Sequence, residues 1–149
     1  MNVIKTSIDG VLILEPRLFR DVRGYFFESF SEREFEEKVA DVAVDIRKGT
    51  TTYGKHVVVE LTEDNHRQFF IPKGFAHGFA VLSETAVFQY KCDNFYHPEA
   101  DGGISILDDS LGIDWKIPTE HANLSEKDTK HAMLKDFDSP FDINVNLYK

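Results

Sequence analysis

The stretch IPKGFAHGFAVLSETAVFQYK, residues 71–91, concentrates side chains that could perform acid–base chemistry. His77 lies between Gly74 and Gly78 and between two phenylalanines. Glycines let a backbone approach a ligand closely, and aromatic rings can wall a pocket around an imidazole, which at neutral pH can act as a general base. The alternative interpretation is a half-buried histidine at the start of a strand, hydrogen-bonded to backbone.

Three other side chains have the chemistry of a site, and each also has a simpler explanation. Tyr90 could donate a proton to a carbanion or enolate, but aromatic residues also pack on strands for stability alone. Asp128 closes the sequence SEKD, and its position in a capping box explains it without catalysis. Arg23, in DVRGYFFE, could bind a phosphate or lie solvated in a loop.

A metal centre is not indicated by the histidines. Metal-binding β-sandwiches usually carry two histidines one residue apart on a strand with a carboxylate nearby. The histidines of this chain are scattered singly, at His56, His66, His77, His97, His121 and His131. We therefore expect no metal.

Short apolar stretches separated by turn residues predict an all-β protein. Several alternate with a period of two, so that Val42, Val44 and Ile46 would share one face of a strand. Many short strands at this spacing are typical of a β-sandwich or barrel. With 149 residues and no linker or repeat, residues 1–149 are predicted to form a single domain.

Two capping boxes predict short helices within this β protein. Ser31 and Glu34 form an S-x-x-E box, and Phe30 can pack on Phe35 across it, which predicts a helix near 31–39. The SEKD sequence predicts a second helix over about 125–134.

Composition narrows the classes of partner. With 26 acidic and 17 basic residues the net charge is −9, which disfavours nucleic acid and anionic membranes but not a small anionic ligand. Cys92 stands alone, so no internal disulfide can form, and a reducing cytoplasmic location is expected. No apolar run reaches the ~18 residues of a membrane span.

The stretch FEEKVADVAVDIRKG, residues 35–49, is unusual because a helix-like run passes straight into a strand-like run. No Gly, Pro or Asn separates FEEKV from DVAVDIR. A chain that leaves a helix normally carries such turn residues, since it must reverse and satisfy the freed carbonyls. The local pattern therefore leaves the connection between the two runs unexplained.

The motifs D-x-RG-x-F-x-E and GFAHGF, followed by LGIDW and LSEKD, resemble the dTDP-4-dehydrorhamnose 3,5-epimerases over nearly the whole chain. That family consists of jelly-roll, cupin-like enzymes of dTDP-L-rhamnose synthesis that use no cofactor. They invert C3 and C5 of dTDP-4-keto-6-deoxyglucose by removing a proton next to the carbonyl and returning one on the other face. The resemblance implies a jelly-roll β-sandwich that binds a dTDP-sugar nucleotide.

The resemblance also implies an internal deletion. Family members carry several strands between the first helix and the DVAVDIR strand, with a Q-D-N element, an R-G-L-H-x-Q motif and a lysine. In this chain Lys38-Val39-Ala40-Asp41 resembles a seam where that block is absent. The histidine of R-G-L-H is the family's catalytic base and the lysine steadies the enolate, so neither has a counterpart here.

The resemblance implies that residues present in this chain match the family's other catalytic and substrate-binding residues. Tyr90 matches the tyrosine that protonates the enolate, Asp128 the aspartate that orients the base, and His77 a second histidine of the pocket. The residues implied to bind substrate are Arg23, Phe26, Glu28, Asp101 and Lys127. His77 is the candidate for a substitute base.

Three functional hypotheses follow. The chain could be an epimerase homologue impaired by its deletion, a module that binds dTDP-sugars without turnover, or a structural remnant. Because removal of strands exposes core and sheet edges, a homodimer is expected, intertwined or strand-exchanged, whose subunits complete each other's sheets.

Overall fold

The computed structural model describes residues 1–21, 24–26, 38–118, 120 and 122–148. Within these ranges the regular elements are antiparallel strands and single turns of 3₁₀ helix. The strands are β1 (Asn2–Lys5), β2 (Leu12–Glu15), β3 (Phe19–Asp21), β4 (Gly24–Phe26), β5 (Lys38–Asp45), β6 (His56–Thr62), β7 (Gln68–Phe70) and β8 (Phe75–Val81). The 3₁₀ turns are Pro98–Ala100, Asp109–Leu111, Asp128–Lys130 and Leu134–Asp136. The prediction of an all-β protein is confirmed.

Two three-stranded sheets form the two layers of the fold. One has the strand order β1-β2-β7 and the other β6-β5-β8, while β3 and β4 form a separate hairpin. The layers meet where Ala43 of β5 packs with Ile8 and Val11, together with Val57, Phe69, Ile71 and Phe75. The β1-β2-β7 sheet thus covers part of one face of β5, and the apolar residues between the two sheets form the core of the sandwich there.

Strand β5 is the centre of the larger sheet and is buried along nearly its whole length. The predicted apolar face is confirmed, because Val42, Val44 and Ile46 pack into a core with Trp115 and Leu111. The opposite face carries Val39, Asp41, Ala43 and Asp45, so two carboxylates lie within the sandwich. A buried carboxylate needs hydrogen-bonding partners, and both of these have them.

The C-terminal segment closes the structure over the β5–β6 turn. The Lys48 amide donates to the Phe141 carbonyl at 2.9 Å, and the Ile143 amide donates to the Lys48 carbonyl at 3.0 Å. The buried hydroxyl of Ser139 donates to the Ile46 carbonyl. These bonds add a short parallel bridge beside β5 without a regular strand.

The helix predicted near 31–39 is wrong at its C-terminal end, and residues 31–37 lie outside the described residues. Lys38 and Val39 begin β5, where Val39 pairs with Leu61 on one side and Val81 on the other. Burial of Val39 between two strands outweighs the local helical pattern, because packing commonly overrides propensity.

The helix predicted over 125–134 is confirmed only in part, because its cap and one 3₁₀ turn form but no continuous helix follows. The Ser125 amide donates to Asp128 Oδ2 and the Asp128 amide donates to Ser125 Oγ, each at 3.3 Å. Only the turn Asp128–Lys130 follows, and the backbone is extended from His131. The cause is a long-range bridge. The Ser105 amide donates a hydrogen bond to the Ala132 carbonyl at 2.8 Å, and this bond holds Ala132 in an extended conformation.

The segment TAVFQYKC, residues 85–92, is one of the short apolar stretches that predict strands, but it forms no strand in this structure. Its side chains are mostly exposed, including Val87 and Tyr90. Alternation alone does not make a strand, because a strand also needs a neighbour for its backbone groups.

Candidate functional site

His77 is positioned by the register of β8 against β5. His77 pairs with Ala43 and Phe79 pairs with Asp41, so His77 and Asp41 are diagonal neighbours on the same face of the sheet. His77 Nε2 lies 2.6 Å from Asp41 Oδ1. The side chain of Asp41 is only 5% exposed, whereas that of His77 is 35% exposed. This histidine–aspartate pair, which we call the dyad, therefore has one buried anchor and one accessible imidazole.

Two phenylalanines form an aromatic wall beside the dyad. The ring of Phe88 lies 6.0 Å from that of His77 with an angle of 24° between their planes. Phe88 also stacks on Phe79 at 4.2 Å. The accessible imidazole is therefore flanked by Phe79 of the GFAHGF motif and by Phe88, whereas Phe75 packs against Ile8, Val11 and Ala43.

Tyr90 lies at the far side of the same aromatic group. Its ring is 6.1 Å from that of Phe88, and 71% of the residue is exposed. Phe88 separates it from His77, so the structure brings the predicted acid and the substitute base into one cluster without direct contact.

Asp101 and Lys127 form a second cluster on the surface. Lys127 Nζ lies 2.5 Å from Asp101 Oδ2, and the Tyr96 hydroxyl donates to the same carboxylate oxygen at 3.1 Å. The hydrogen bond from Lys127, followed by that from Tyr96, lowers the pKa of Asp101. The same hydrogen bond to Asp101 raises the pKa of Lys127. The two residues implied to bind substrate therefore bind each other here.

Asp128 is occupied by its capping box. Its carboxylate accepts from the Ser125 hydroxyl at 2.5 Å and from the Ser125 amide. Among the described residues no hydrogen bond, ion pair or ring contact joins Asp128, Lys127 or Asp101 to the dyad. The structure thus places Asp128 in a cap, and its role in orienting a base stays a prediction.

The predicted nucleotide-binding residues are mostly outside the structure that can be described. Arg23 and Glu28 lie outside the described residues. Phe26 ends β4, where its Cα pairs with that of Phe19 in the short hairpin. Their binding role stays a prediction.

Asp41 is the residue that sequence reasoning missed. It had been placed only at the seam of the deletion, although an ionisable residue in the middle of the apolar run VADVAVDI was a usable signal. A carboxylate at such a position must find a partner when the strand is buried. The partner could not be named in advance, because it depends on the register between two strands 36 residues apart.

Other features of the described residues do not add to this site. They contain no group of three His, Cys, Asp or Glu that could hold a metal ion. None of their helices is long and apolar enough to cross a membrane. An open depression at the N-terminal edge lies away from the dyad and is lined by Met1, Asn2, Glu15, Pro16 and Arg17.

Comparison with known proteins identifies the class of fold first. The crystal structure of dTDP-6-deoxy-D-glucose-3,5-epimerase from Legionella pneumophila Philadelphia 1, in complex with dTDP-4-keto-L-rhamnose, superposes with a TM-score of 0.82. The two are 39% identical, and the match covers 92% of this chain and 94% of that one. The chain is accordingly a cupin-like β-sandwich.

The family follows from sequence. The profile of the dTDP-4-dehydrorhamnose 3,5-epimerase family matches residues 5–40 and 36–136. The enzyme of that name from Escherichia coli K12 is 42% identical over 172 residues, covering 87% of this chain and 92% of that protein. That of Methanothermobacter thermautotrophicus is 37% identical over 174 residues, covering 89% and 94%. The chain belongs to the dTDP-4-dehydrorhamnose 3,5-epimerase family.

Proposed function

We propose that the protein is a dTDP-4-dehydrorhamnose 3,5-epimerase homologue acting on dTDP-4-keto-6-deoxyglucose, impaired by an internal deletion, with His77 as the remaining base. The dyad is the observation that carries this proposal. A general base needs an imidazole held in a fixed orientation and open to substrate, and the hydrogen bond to buried Asp41 supplies the first condition.

Three observations support the deletion. The alignment with the Escherichia coli relative spans 172 residues, more than the 149 of the whole chain, so it includes positions for which this chain has no residue. The family profile matches in two segments that meet at residues 36–40, beside the seam at Lys38–Asp41. The segment 85–92 has the sequence of a strand but no strand neighbour in the described structure.

Impairment follows from the chemistry that the missing block would carry. In the family resemblance, the base histidine and the enolate-stabilising lysine both belong to that block. Loss of a general base typically costs about 10²–10⁴ in rate, and loss of a charge stabiliser at the enolate adds to this. His77 restores a base at a different position, so turnover is expected to be slow.

The test is exchange of substrate protons with solvent. The protein would be incubated with dTDP-4-keto-6-deoxyglucose in D₂O, and the C3 and C5 proton signals followed by NMR. We expect slow, protein-dependent loss of at least one of these signals. In the His77→Asn variant both signals should persist as in a control without protein. His97→Asn is the matched control, because His97 also pairs with a carboxylate, Glu99, but on the surface.

Each negative outcome selects a different alternative. A folded sample that binds dTDP, shown by calorimetry, but exchanges no proton would be a nucleotide-sugar-binding module. A folded sample that neither exchanges nor binds dTDP would be a structural remnant. Exchange that survives His77→Asn would contradict the role of His77.

We also propose that the protein is a homodimer, intertwined or strand-exchanged. The segment that follows β8 exposes apolar side chains, among them Val87, Phe95 and Tyr96, of the kind that mark an interaction surface when they cluster. Light scattering after gel filtration should give the dimer mass, and Phe95→Ser should shift it towards monomer on dilution. Val145→Ser, at another exposed apolar site, should not. A wild-type monomer at all concentrations would refute the proposal.

A further inference from the structure

The hydrogen bond of the dyad determines which imidazole nitrogen is the base. A carboxylate oxygen can only accept a hydrogen bond, so the bond from Nε2 to Asp41 places the ring proton on Nε2. The lone pair is then on Nδ1, which has no hydrogen-bond partner among the residues that the structure describes. Asp41 lies on the central strand of its sheet, where pairing on both sides limits its movement. The tautomer and the direction of the ring are therefore both fixed.

The surroundings of the imidazole favour a flat, apolar ligand. The rings of Phe79 and Phe88 form a stacked pair, and the Phe88 plane is within 24° of the imidazole plane. A flat aromatic molecule placed against this wall would lie beside the partly exposed imidazole of His77. Apolar surface next to a base also reduces its hydration, which increases its reactivity towards a C–H bond.

We propose that the dyad is a general base for flat aromatic carbon acids, with Nδ1 of His77 as the catalytic atom and Asp41 as its positioning residue. This activity goes beyond nucleotide sugars, because it requires neither Arg23 nor Glu28 and no enolate-stabilising lysine. It uses only groups that the described structure places together. The substrate class is a planar ring whose acidic C–H bond breaks with loss of an internal leaving group.

The reaction of 5-nitrobenzisoxazole is a suitable probe. Nδ1 takes the proton from C3, and the C–H electron pair forms the nitrile. The N–O bond breaks, and its own electron pair stays on the oxygen, which becomes the phenolate of the ring-opened product. The protonated imidazole then returns its proton to solvent, so no oxidant, reductant or cofactor is consumed. Formation of the coloured phenolate gives the rate directly.

We expect the wild-type protein to accelerate this elimination by about 10²-fold or more over buffer, and His77→Asn to lose that acceleration. His97→Asn should retain the full rate, since His97 is bonded through Nδ1 to exposed Glu99 and has no aromatic wall. A His77→Asn protein that keeps its secondary structure by circular dichroism and also keeps its rate would overturn the proposal.

The role of Asp41 has its own readouts. Asp41→Asn should lower kcat by about tenfold or more with little change in KM, because an orienting carboxylate acts on the base and not on binding. Nitrogen-15 NMR of the wild-type imidazole, in mildly alkaline solution, should show His77 protonated at Nε2 and not at Nδ1. This measurement needs no variant, and a proton on Nδ1 would overturn the assignment. If the protein catalyses the elimination but exchanges no C3 or C5 proton of the nucleotide sugar, the dyad is a general base and only the proposed nucleotide-sugar substrate is refuted.

Discussion

Inserting the block that we propose is absent from this chain is expected to raise the rate of epimerisation by about 10²–10⁴. The change is an insertion between Lys38 and Asp41 of the segment that, by the family resemblance, carries Q-D-N, R-G-L-H-x-Q and a following lysine. The inserted histidine would supply the family's base and the lysine would stabilise the enolate. Turnover of dTDP-4-keto-6-deoxyglucose, measured by NMR, is the readout.

A second insertion in which the R-G-L-H histidine is asparagine is the matched control. It should fold like the first insertion yet stay near the activity of the chain without an insertion. In the active insertion, His77→Asn should lower the rate less than it does in the chain without an insertion, because the base is then elsewhere. If the insertion variant folds but turns over substrate no faster than its asparagine control, the deletion is not the cause of the impairment.

The insertion also has a structural consequence that can be measured separately. If the block supplies the strand neighbour that segment 85–92 lacks, the amides of Val87 and Gln89 should become protected from hydrogen exchange. Protection without activity would mean that the sheet is repaired but that the retained pocket no longer accepts substrate.

Local sequence pattern was sufficient where burial and strand pairing agreed with it. The alternation in DVAVDIR predicted the face that carries Val42 and Val44, and both are buried in the core that also contains Trp115. The pattern failed where a distant segment decided the outcome. The SEKD box is real, but the bridge between Ile104 and Ala132 stops the helix after one turn.

The candidate site was predictable in composition but not in geometry. His77 and Tyr90 could be selected by type and setting, and the structure gathers them around Phe88. The link from His77 to Asp41 depends on the register of β8 against β5, which no local pattern specifies. The role of Asp128 as an orienting residue comes from the family resemblance and stays a prediction, while its carboxylate here accepts a hydrogen bond from Ser125.

The largest expected loss of stability comes from Asp45→Ala. The Asp45 carboxylate has no solvent exposure and accepts five hydrogen bonds. Three come from Arg47, through its amide, Nε and Nη2, and two come from the hydroxyls of Thr50 and Thr52. Removing one partner of a buried charge pair typically costs about 3–5 kcal/mol. We expect a loss in this range in the free energy of unfolding, measured with urea.

Asp138→Ala is the control for charge removal alone. Asp138 also pairs with a cation, Lys48, but its side chain is 93% exposed. An exposed pair contributes about 0–1 kcal/mol, so this variant should unfold close to the wild type. Equal losses in the two variants would refute the structural role of Asp45.

The pH dependence gives an independent check on Asp45. Burial alone would raise its pKa, but the hydrogen bonds from Arg47 and Thr52 outweigh burial and hold the pKa below its ordinary value. Because the folded pKa is lowered, the stabilisation is fully present above the unfolded pKa of about 3.9 and is lost as pH falls through the folded pKa. The difference in stability between wild type and Asp45→Ala should therefore shrink in acid below about pH 4.

The same substitution should also disturb the dyad, which lies on the same two strands. Arg47, held by Asp45, places its guanidinium 4.6 Å from the centre of the Phe75 ring at the start of β8. His77 follows two residues later, and Asp41 precedes Asp45 on β5. Loss of the contact between Arg47 and Phe75 should loosen the pairing of β8 with β5, which sets the distance from His77 to Asp41. Asp45→Ala is therefore expected to broaden the His77 imidazole signals under conditions where the protein is still folded, whereas Asp138→Ala leaves them sharp.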